Sequence, residues 1–454
     1  MDTKQRRDLI LNGNIYKVII TLSIPIMINN LIQTLYNLAD GIWVSKISSV
    51  HFAATAFVWP VVFLFISLGI GLSIAGTALL SQLIGRGDYE EANKYSSQLI
   101  VISVLLSLFF TIIGYLVSPH VIRLMGATGD LAEYSNIYLK ITFLDMPFMF
   151  LFFSFNSIMN AQGNTMLPTV LSGISAILNV ILDPIFIFTF NMGITGAAVA
   201  TLISRALLSI AGIYILFKYP ALIKPKLKGF RFDKDIIKKI VRIGVPSSIG
   251  QTGSALGFMV LNSFIASYGT ATMAAFGMIN RVSSLIMQPA MGVGAALTSI
   301  VGQNLGSEQI DRVREAFKKS SIFTISFSLI GILVLLLFDI EIVNFFMQSK
   351  DDLEVIAQGV SYLRYVSLSM PLMGMFSVFQ GIFQGSGHTK YSMAMEVGRL
   401  WLVRLPMIML FKHFTNIGPE GIWFSMSFSN LIVCLYGLAI YKRGRWQRKV
   451  IRTV

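Results

Sequence analysis

Twelve apolar stretches, each long enough to cross a lipid bilayer, restrict this chain more than any other feature. A helix needs about 20 apolar residues to span the hydrocarbon. Runs of that kind fall at 18–45, 53–83, 95–118, 132–160, 166–190, 193–217, 239–267, 273–303, 318–338, 355–384, 391–413 and 418–441. In lipid every backbone N–H and C=O must be bonded within the chain, so these stretches read as α-helices. The expected fold is an all-α membrane protein of twelve transmembrane helices. Composition agrees: 54% of residues are hydrophobic and only 13% charged, against about 25% charged in soluble domains. Pro25, Pro147, Pro246, Pro289 and Pro371 lie inside spans, where each removes a backbone hydrogen bond and invites a kink. Met1–Lys17 is polar and the apolar run after it too long for a signal peptide, so the first span reads as retained.

The net charge of +14 belongs to topology. Lys4, Arg6, Arg7, Lys17, Arg86, Lys94, the segment Lys218–Arg242, Arg312–Lys319, Lys390 and the tail Lys442–Arg452 place 26 Lys and Arg on one side of the expected bundle. The other side holds four: Lys46, Arg123, Lys350 and Lys412. That bias puts both termini in the cytoplasm. The basic linker is also placed to touch anionic membrane lipids. No basic patch is interleaved with exposed stacking aromatics, which excludes nucleic acid as a partner. The single cysteine, Cys434, and four scattered histidines leave no disulfide framework and no His–Cys metal motif. No phosphate-binding loop stands out, so any pumping would have to use an ion gradient rather than ATP.

The two halves of the chain resemble each other. At a constant offset of 221, Pro25 pairs with Pro246, Ala53–Ala54 with Ala274–Ala275, Gly71 with Gly292, Thr77 with Thr298, Gln82 with Gln303 and Gly85 with Gly306. Further along the offset becomes 224, pairing Tyr138–Leu139 with Tyr362–Leu363, Met146–Pro147 with Met370–Pro371, Gly163 with Gly387 and Thr165 with Thr389. Six helices per half is an even number, so the halves are parallel repeats around a central cavity. The expected division is an N-terminal lobe (1–222), a basic linker (223–236, near Pro220 and Pro225) and a C-terminal lobe (237–454).

Particular stretches resemble the multidrug and toxic compound extrusion family. They are Ile24-Pro25-Ile26, Gln33–Asp40, Asn179–Asp183-Pro184, Gly193–Thr201, Gly244-Val245-Pro246, Asn280-Arg281-Val282 and Gly302–Gly306. The likeness runs over essentially the whole chain and looks like the branch of the DNA-damage-inducible F protein. It implies an antiporter, not an enzyme. A cation or proton would enter while an amphipathic, often cationic, small molecule leaves by alternating access. A flippase for lipid-linked glycans or other amphiphiles is the alternative, and would call for a cationic cavity. A membrane-embedded enzyme lacks the clustered His or Asp motifs it would need. The protein is expected to act as a monomer in the cell membrane, with no cofactor beyond Na⁺ or H⁺ as coupling ion.

Four acidic residues fall inside spans: Asp40, Asp145, Asp183 and Glu396. A charge in lipid is costly and marks function by default. With a rise of about 1.5 Å per residue, Asp183 lies roughly 25 Å along the fifth span, and Thr201 roughly 12 Å into the sixth from the opposite side. Asn179 is one turn before Asp183 on the same face, and Asp40 lies late in the first span. The four groups can meet in the outer half of the first lobe. Two carboxylates, an amide oxygen and a hydroxyl are hard ligands for Na⁺, and two close carboxylates could equally share a proton. The family pattern matches Asp40, Asn179, Asp183 and Thr201 as the ion-coupling set. Tyr36, Asn37, Tyr138, Asn156 and Arg281 are the cavity candidates. The repeat mates of Asp40, Asn179 and Asp183 are Leu261, Val403 and Met407, so coupling is expected in one lobe only. Asp145, two residues before Pro147, is expected to serve backbone groups freed by that proline. Glu396 and Arg399 are spaced to pair along one helix face.

Overall fold

The computed structural model describes residues 2–218, 222–346 and 353–451. Pro220, Lys350 and Arg452, which entered the linker and charge readings, lie outside the described residues. Fifteen α-helices run through these segments, and the described residues contain no strand. They are α1 (Thr3–Asn12), α2 (Ile15–Ser45), α3 (Ser49–Arg86), α4 (Tyr89–Leu124), α5 (Gly129–Ala161), α6 (Met166–Pro184), α7 (Gly193–Lys218), α8 (Lys234–Ala266), α9 (Thr270–Gly306), α10 (Ile310–Leu337), α11 (Asp339–Phe346), α12 (Leu353–Gly385), α13 (Thr389–Val397), α14 (Leu405–Phe414) and α15 (Glu420–Lys442).

Each of the twelve expected spans corresponds to one crossing, with α13 and α14 together forming the eleventh. Ten crossings are long and apolar enough by length and composition alone. The other two have clear reasons for falling short. Helix α8 begins with Lys234, Lys238, Lys239 and Arg242 and carries Ser247, Ser248, Gln251 and Thr252 through its middle. The eleventh crossing is interrupted by a π-helical segment, Gly398–Arg404. Several helices start before their apolar windows because a side chain caps them. Asn14 accepts from Tyr16 N at 3.0 Å, Asp88 from Glu91 N at 3.1 Å and Asp233 from Asp235 N at 2.9 Å. Helices α1 and α11 are short and partly polar, and their apolar content did not announce them.

The helices continue through Pro25, Pro147, Pro246, Pro289 and Pro371. The ladder changes register elsewhere. Pro184 has no N–H, and directly after it Ile185–Thr189 runs as a π segment, with Phe190 N donating to Ile185 O at 2.9 Å.

Packing follows the repeat, with the first helix of each half crossing into the other. Ile15, Ile19 and Leu22 of α2 belong to an apolar core with Val293, Leu297, Val378 and Ile382 of the second half. Their mates at offset 221, Ile236, Ile240 and Ile243 of α8, belong to a core with Leu79, Leu83, Tyr95 and Phe155 of the first half. Polar contacts repeat the exchange. Gln82 Nε2 donates to Gly385 O at 3.2 Å, and Gln303 Nε2 to Ala161 O at 2.7 Å. Backbones touch where glycine allows it. A Cβ on Gly85 would overlap the Gln303 carbonyl, and one on Gly306 would overlap that of Gln82. A Cβ on Gly71 would meet Gly244 and Ser248, and one on Gly292 would meet Ser23 and Met27.

These contacts cluster at the end of the bundle that carries both termini, here the basic end. Helix α1 straps it. Arg7 Nε and Nη2 donate to Ile84 O and Gly85 O of α3 at 2.9 and 3.0 Å. The carbonyls of Ile10 and Gly13, at the other end of α1, accept from Arg312 of α10. The hydrogen bond between halves farthest from the basic end joins Ser67 Oγ and Thr252 Oγ1 at 2.5 Å, about midway along α3 and α8. Among the described residues none joins the halves beyond it.

Candidate functional site

In the first half, α2, α5, α6 and α7 bring polar groups together beyond that last contact. Asn179 and Asp183 stand one turn apart on α6 and are fully buried. Asn179 Nδ2 donates to Asp183 Oδ1 at 3.2 Å and to Thr201 Oγ1 of α7 at 3.3 Å. The Tyr36 hydroxyl of α2 donates to the same Thr201 oxygen at 3.1 Å. Asp40, one turn beyond Tyr36 on α2, stands near Asp183. Tyr138 of α5 stands near Asp40, Tyr36 and Arg205. The structure thus joins all four residues of the expected ion-coupling set, with Tyr36 and Tyr138 beside them.

The cluster is rich in acceptors and short of donors. Asp40 Oδ1, Asn179 Oδ1 and Asp183 Oδ2 are buried without a hydrogen-bond partner. Buried acceptors normally find a donor, and each one left unpaired has a cost of about 1–3 kcal/mol. Three of them, two carried by carboxylates, fit a small cation with oxygen preference, or protons on the carboxyls. The donor set fits Na⁺ by this measure.

Asn37, Asn156 and Arg281 stand apart from the cluster. Asn37 is exposed, on a different face of α2 from Tyr36, with Gln33 Nε2 3.5 Å from its Oδ1. Asn156 lies three turns closer to the basic end than Asp145 and accepts from Asn160 Nδ2 at 3.0 Å. Arg281 is exposed on α9 of the second half.

Two expectations about buried charge need correction. Asp145 does not serve the backbone near Pro147: its Oδ2 accepts from Arg205 Nη1 at 2.5 Å. Helix α7 carries Thr201 and Arg205 one turn apart, so the guanidinium lies 5.9 Å from the Tyr36 ring centre and adjoins the ion-coupling set. The spacing of Thr201 and Arg205 was the sequence signal for this, but nothing in the sequence ties Arg205 on α7 to Asp145 on α5. Glu396 and Arg399 also make no ion pair. The π segment begins at Gly398, between them, and turns Arg399 away from the i, i+3 position.

The Asp145–Arg205 pair predicts a stability effect. Arg205→Gln leaves a buried carboxylate with no counter-charge, and losing one partner of such a pair costs about 3–5 kcal/mol. The variant should melt well below the parent protein in detergent. Asp145→Asn added to Arg205→Gln should recover most of the loss. A double variant no more stable than Arg205→Gln would show that the carboxylate is not the source of the cost.

The second half offers no matching set. Leu261, the mate of Asp40, is fully buried in a core with Ile265, Phe276 and Trp423. Tyr362, the mate of Tyr138, donates to Asn280 Oδ1 at 3.1 Å.

Comparison with known proteins agrees with the doubled architecture. The MatE family's sequence model matches twice, over residues 25–185 and 246–410, and the two matches begin at the offset that relates Pro25 to Pro246. The chain is 26% identical over 436 residues to the probable multidrug resistance protein YpnP of Bacillus subtilis, covering 96% of each. It is 23% identical over 440 residues to the multidrug export protein MepA of Staphylococcus aureus (strain NCTC 8325), covering 94% of this chain and 93% of that one. Among solved structures it is similar to a MATE crystal structure in the bent conformation, with a TM-score of 0.90, 28% identity and coverage of 98% and 97%. It is similar too to a MOP superfamily transporter from Pyrococcus furiosus whose binding pocket is described as reversed in polarity, with a TM-score of 0.89 and 28% identity over 96% of this chain and 97% of that one. With both halves matched over most of their length, this all-α membrane protein belongs to the MatE family.

Proposed function

We propose that the protein is an antiporter that exports amphipathic small molecules, many of them cations, in exchange for Na⁺ or H⁺ bound at Asp40, Asn179, Asp183 and Thr201. The observation that carries this reading is the set of three buried acceptor oxygens without donors, two of them on carboxylates, gathered in the first lobe. The relatives named for multidrug resistance and export support the efflux direction. The excess of Lys and Arg at the basic end supports a cytoplasmic position for both termini. With that end held by the crossed helices and α1, we read the arrangement as outward-facing.

In this reading the ion-loaded and ion-free lobes differ in the charge of one small cluster. Tyr36 and Asp40 lie on α2 and their partners on α6 and α7, so loading draws the outer part of α2 towards α6 and α7. Release lets it part from them. Helix α2 also contributes to the core of the other half at the basic end, which couples the cluster to closure between the lobes. Asn37, Tyr138, Asn156 and Arg281 remain the proposed cavity positions, and the chain works as a monomer.

Calorimetry on the purified protein tests the shared site. Protons and Na⁺ compete for the same oxygens, so Na⁺ affinity should weaken as pH falls. Asp40→Asn should lower the affinity about 10–150-fold, the worth of one charged ligand, and flatten its pH dependence. Undiminished Na⁺ binding in Asp40→Asn would place the ion elsewhere. No heat with Na⁺ at any pH, with transport still following a pH gradient, would leave the proton as the sole coupling ion.

A further inference from the structure

The second half holds a buried charge cluster of opposite sign, which the ion site does not use. Arg404, 2% exposed, donates from Nε to Ser429 Oγ at 3.0 Å and from Nη2 to Met426 O at 3.2 Å and Asn430 Oδ1 at 3.1 Å. All three acceptors are neutral. Arg399, 6% exposed, is less well served. Its guanidinium lies 4.5 Å from the Phe376 ring centre and its Nη1 3.3 Å from Met373 Sδ, while Nε is buried without a partner. The nearest acid, Glu396, is 7% exposed and accepts from Gln251 Nε2 at 3.4 Å. Among the described residues neither arginine has a carboxylate within ion-pair distance.

Two guanidiniums and one carboxylate leave this cluster net positive at mid-depth in lipid. Neutral hydrogen bonds offset only part of the cost of burying such charge. The π segment Gly398–Arg404 carries both arginines roughly one π turn apart, on the face toward α12 and α15. The cluster also lies near the contact between the halves. Gln251, which holds Glu396, adjoins Thr252, and Thr252 makes the outermost hydrogen bond between the halves. The opposite lobe presents Asp40, Asp183 and the paired Asp145–Arg205. The two lobes therefore differ in sign.

We propose that Arg399 and Arg404 form an anion-binding subsite for the carried molecule, which takes a carboxylate, phosphate or sulfonate head attached to an apolar body. Arginine suits such heads because its planar fork donates two parallel hydrogen bonds to one group. The apolar surroundings, Phe376, Met373 and Cys434, exclude water and suit the adjoining body. Glu396 opposes the anion and limits how tightly it is held. This subsite rests on the transport reading only for the word cargo, and it sets an acidic head beside the cationic cargo of that reading. Binding can be measured with no gradient and no coupling ion.

The test uses the full chain in phosphatidylcholine nanodiscs, with empty nanodiscs correcting for partition. Dodecyl phosphate and dodecyltrimethylammonium serve as probes with one tail and opposite heads. Arg399→Gln should weaken dodecyl phosphate about tenfold and leave dodecyltrimethylammonium unchanged. Glu396→Gln should tighten dodecyl phosphate several-fold, a gain that misfolding cannot produce. Inorganic phosphate that displaces dodecyl phosphate would support the site and show that the head alone suffices. Dodecyl phosphate binding unchanged in both variants, or loss of both probes together in Arg399→Gln, would overturn the proposal. Failure of ion coupling in transport would bear on the antiport reading and leave this result standing.

Discussion

Asp40→Asn and Asp183→Asn should each reduce gradient-driven export from proteoliposomes to the uncoupled background while the protein remains folded and inserted. Asp183 is fully buried and Asn179 bonds it directly, whereas Asp40 reaches the same cluster from another helix. Asparagine keeps the shape of each side chain and removes its charge. It also brings an amide donor into a cluster already rich in unpaired acceptors, so folding should be unharmed or improved. Coupling has no such alternative, because an antiporter must bind its ion with different affinity in its two states to exploit a gradient. Losing one charged ligand is worth about 10–150-fold in ion affinity, enough to empty the site at working concentrations. The measurement is efflux under imposed Na⁺ and pH gradients, with melting temperature recorded alongside. Parent transport rates in either variant would remove the proposed coupling site, and a collapsed melting temperature would show that the carboxylates serve the fold.

Gly85→Ala and Gly306→Ala should each wedge the two halves apart at the basic end. The new Cβ would overlap a backbone carbonyl, Gln303 in one case and Gln82 in the other, and a backbone cannot swing aside as a side chain can. Overpacking of this kind costs about 1–3 kcal/mol, which shifts the balance between closed and parted forms about 5–150-fold. The two sites are related by the repeat and act on one interface, so the double variant should add less than the sum of the single effects. Spin labels at Lys94→Cys and Arg314→Cys, both exposed near the basic end, should report a longer distance between halves in each variant. Export should slow because the closed basic end is disfavoured. An unchanged distance distribution would mean that the halves part by a route that leaves α3 and α9 in contact.

Much of the architecture was legible because lipid allows few solutions. A chain with long apolar stretches must make helices there, and the constant offset from Pro25–Pro246 to Gly85–Gly306 required the halves to repeat. Asp40, Asn179, Asp183 and Thr201 could be grouped from helix rise and direction, since depth in a membrane is nearly a linear function of residue number. The matching glutamines and glycines of the repeat were visible too. What they do was not, because a repeat says which residues are equivalent and leaves open which half each one touches.

The tertiary structure decided the rest. The crossing of α2 and α8 into opposite cores depends on how whole helix faces fit together. Asp145 and Arg205 lie on helices that are not consecutive in the chain, and only helix packing selects one buried partner from several at the same depth. The π segments after Pro184 and at Gly398 change which side chains share a face, and that shift separates Glu396 from Arg399. Helix α1 carried too little apolar surface to be read as an element, and it owes its place to Arg7 and Arg312 bonding carbonyls of other segments. Hydrophobicity and periodicity are local properties and set depth, direction and repeat. Pairing between distant polar groups is settled only when the helices meet, since each buried donor or acceptor takes whichever partner the packing brings within reach.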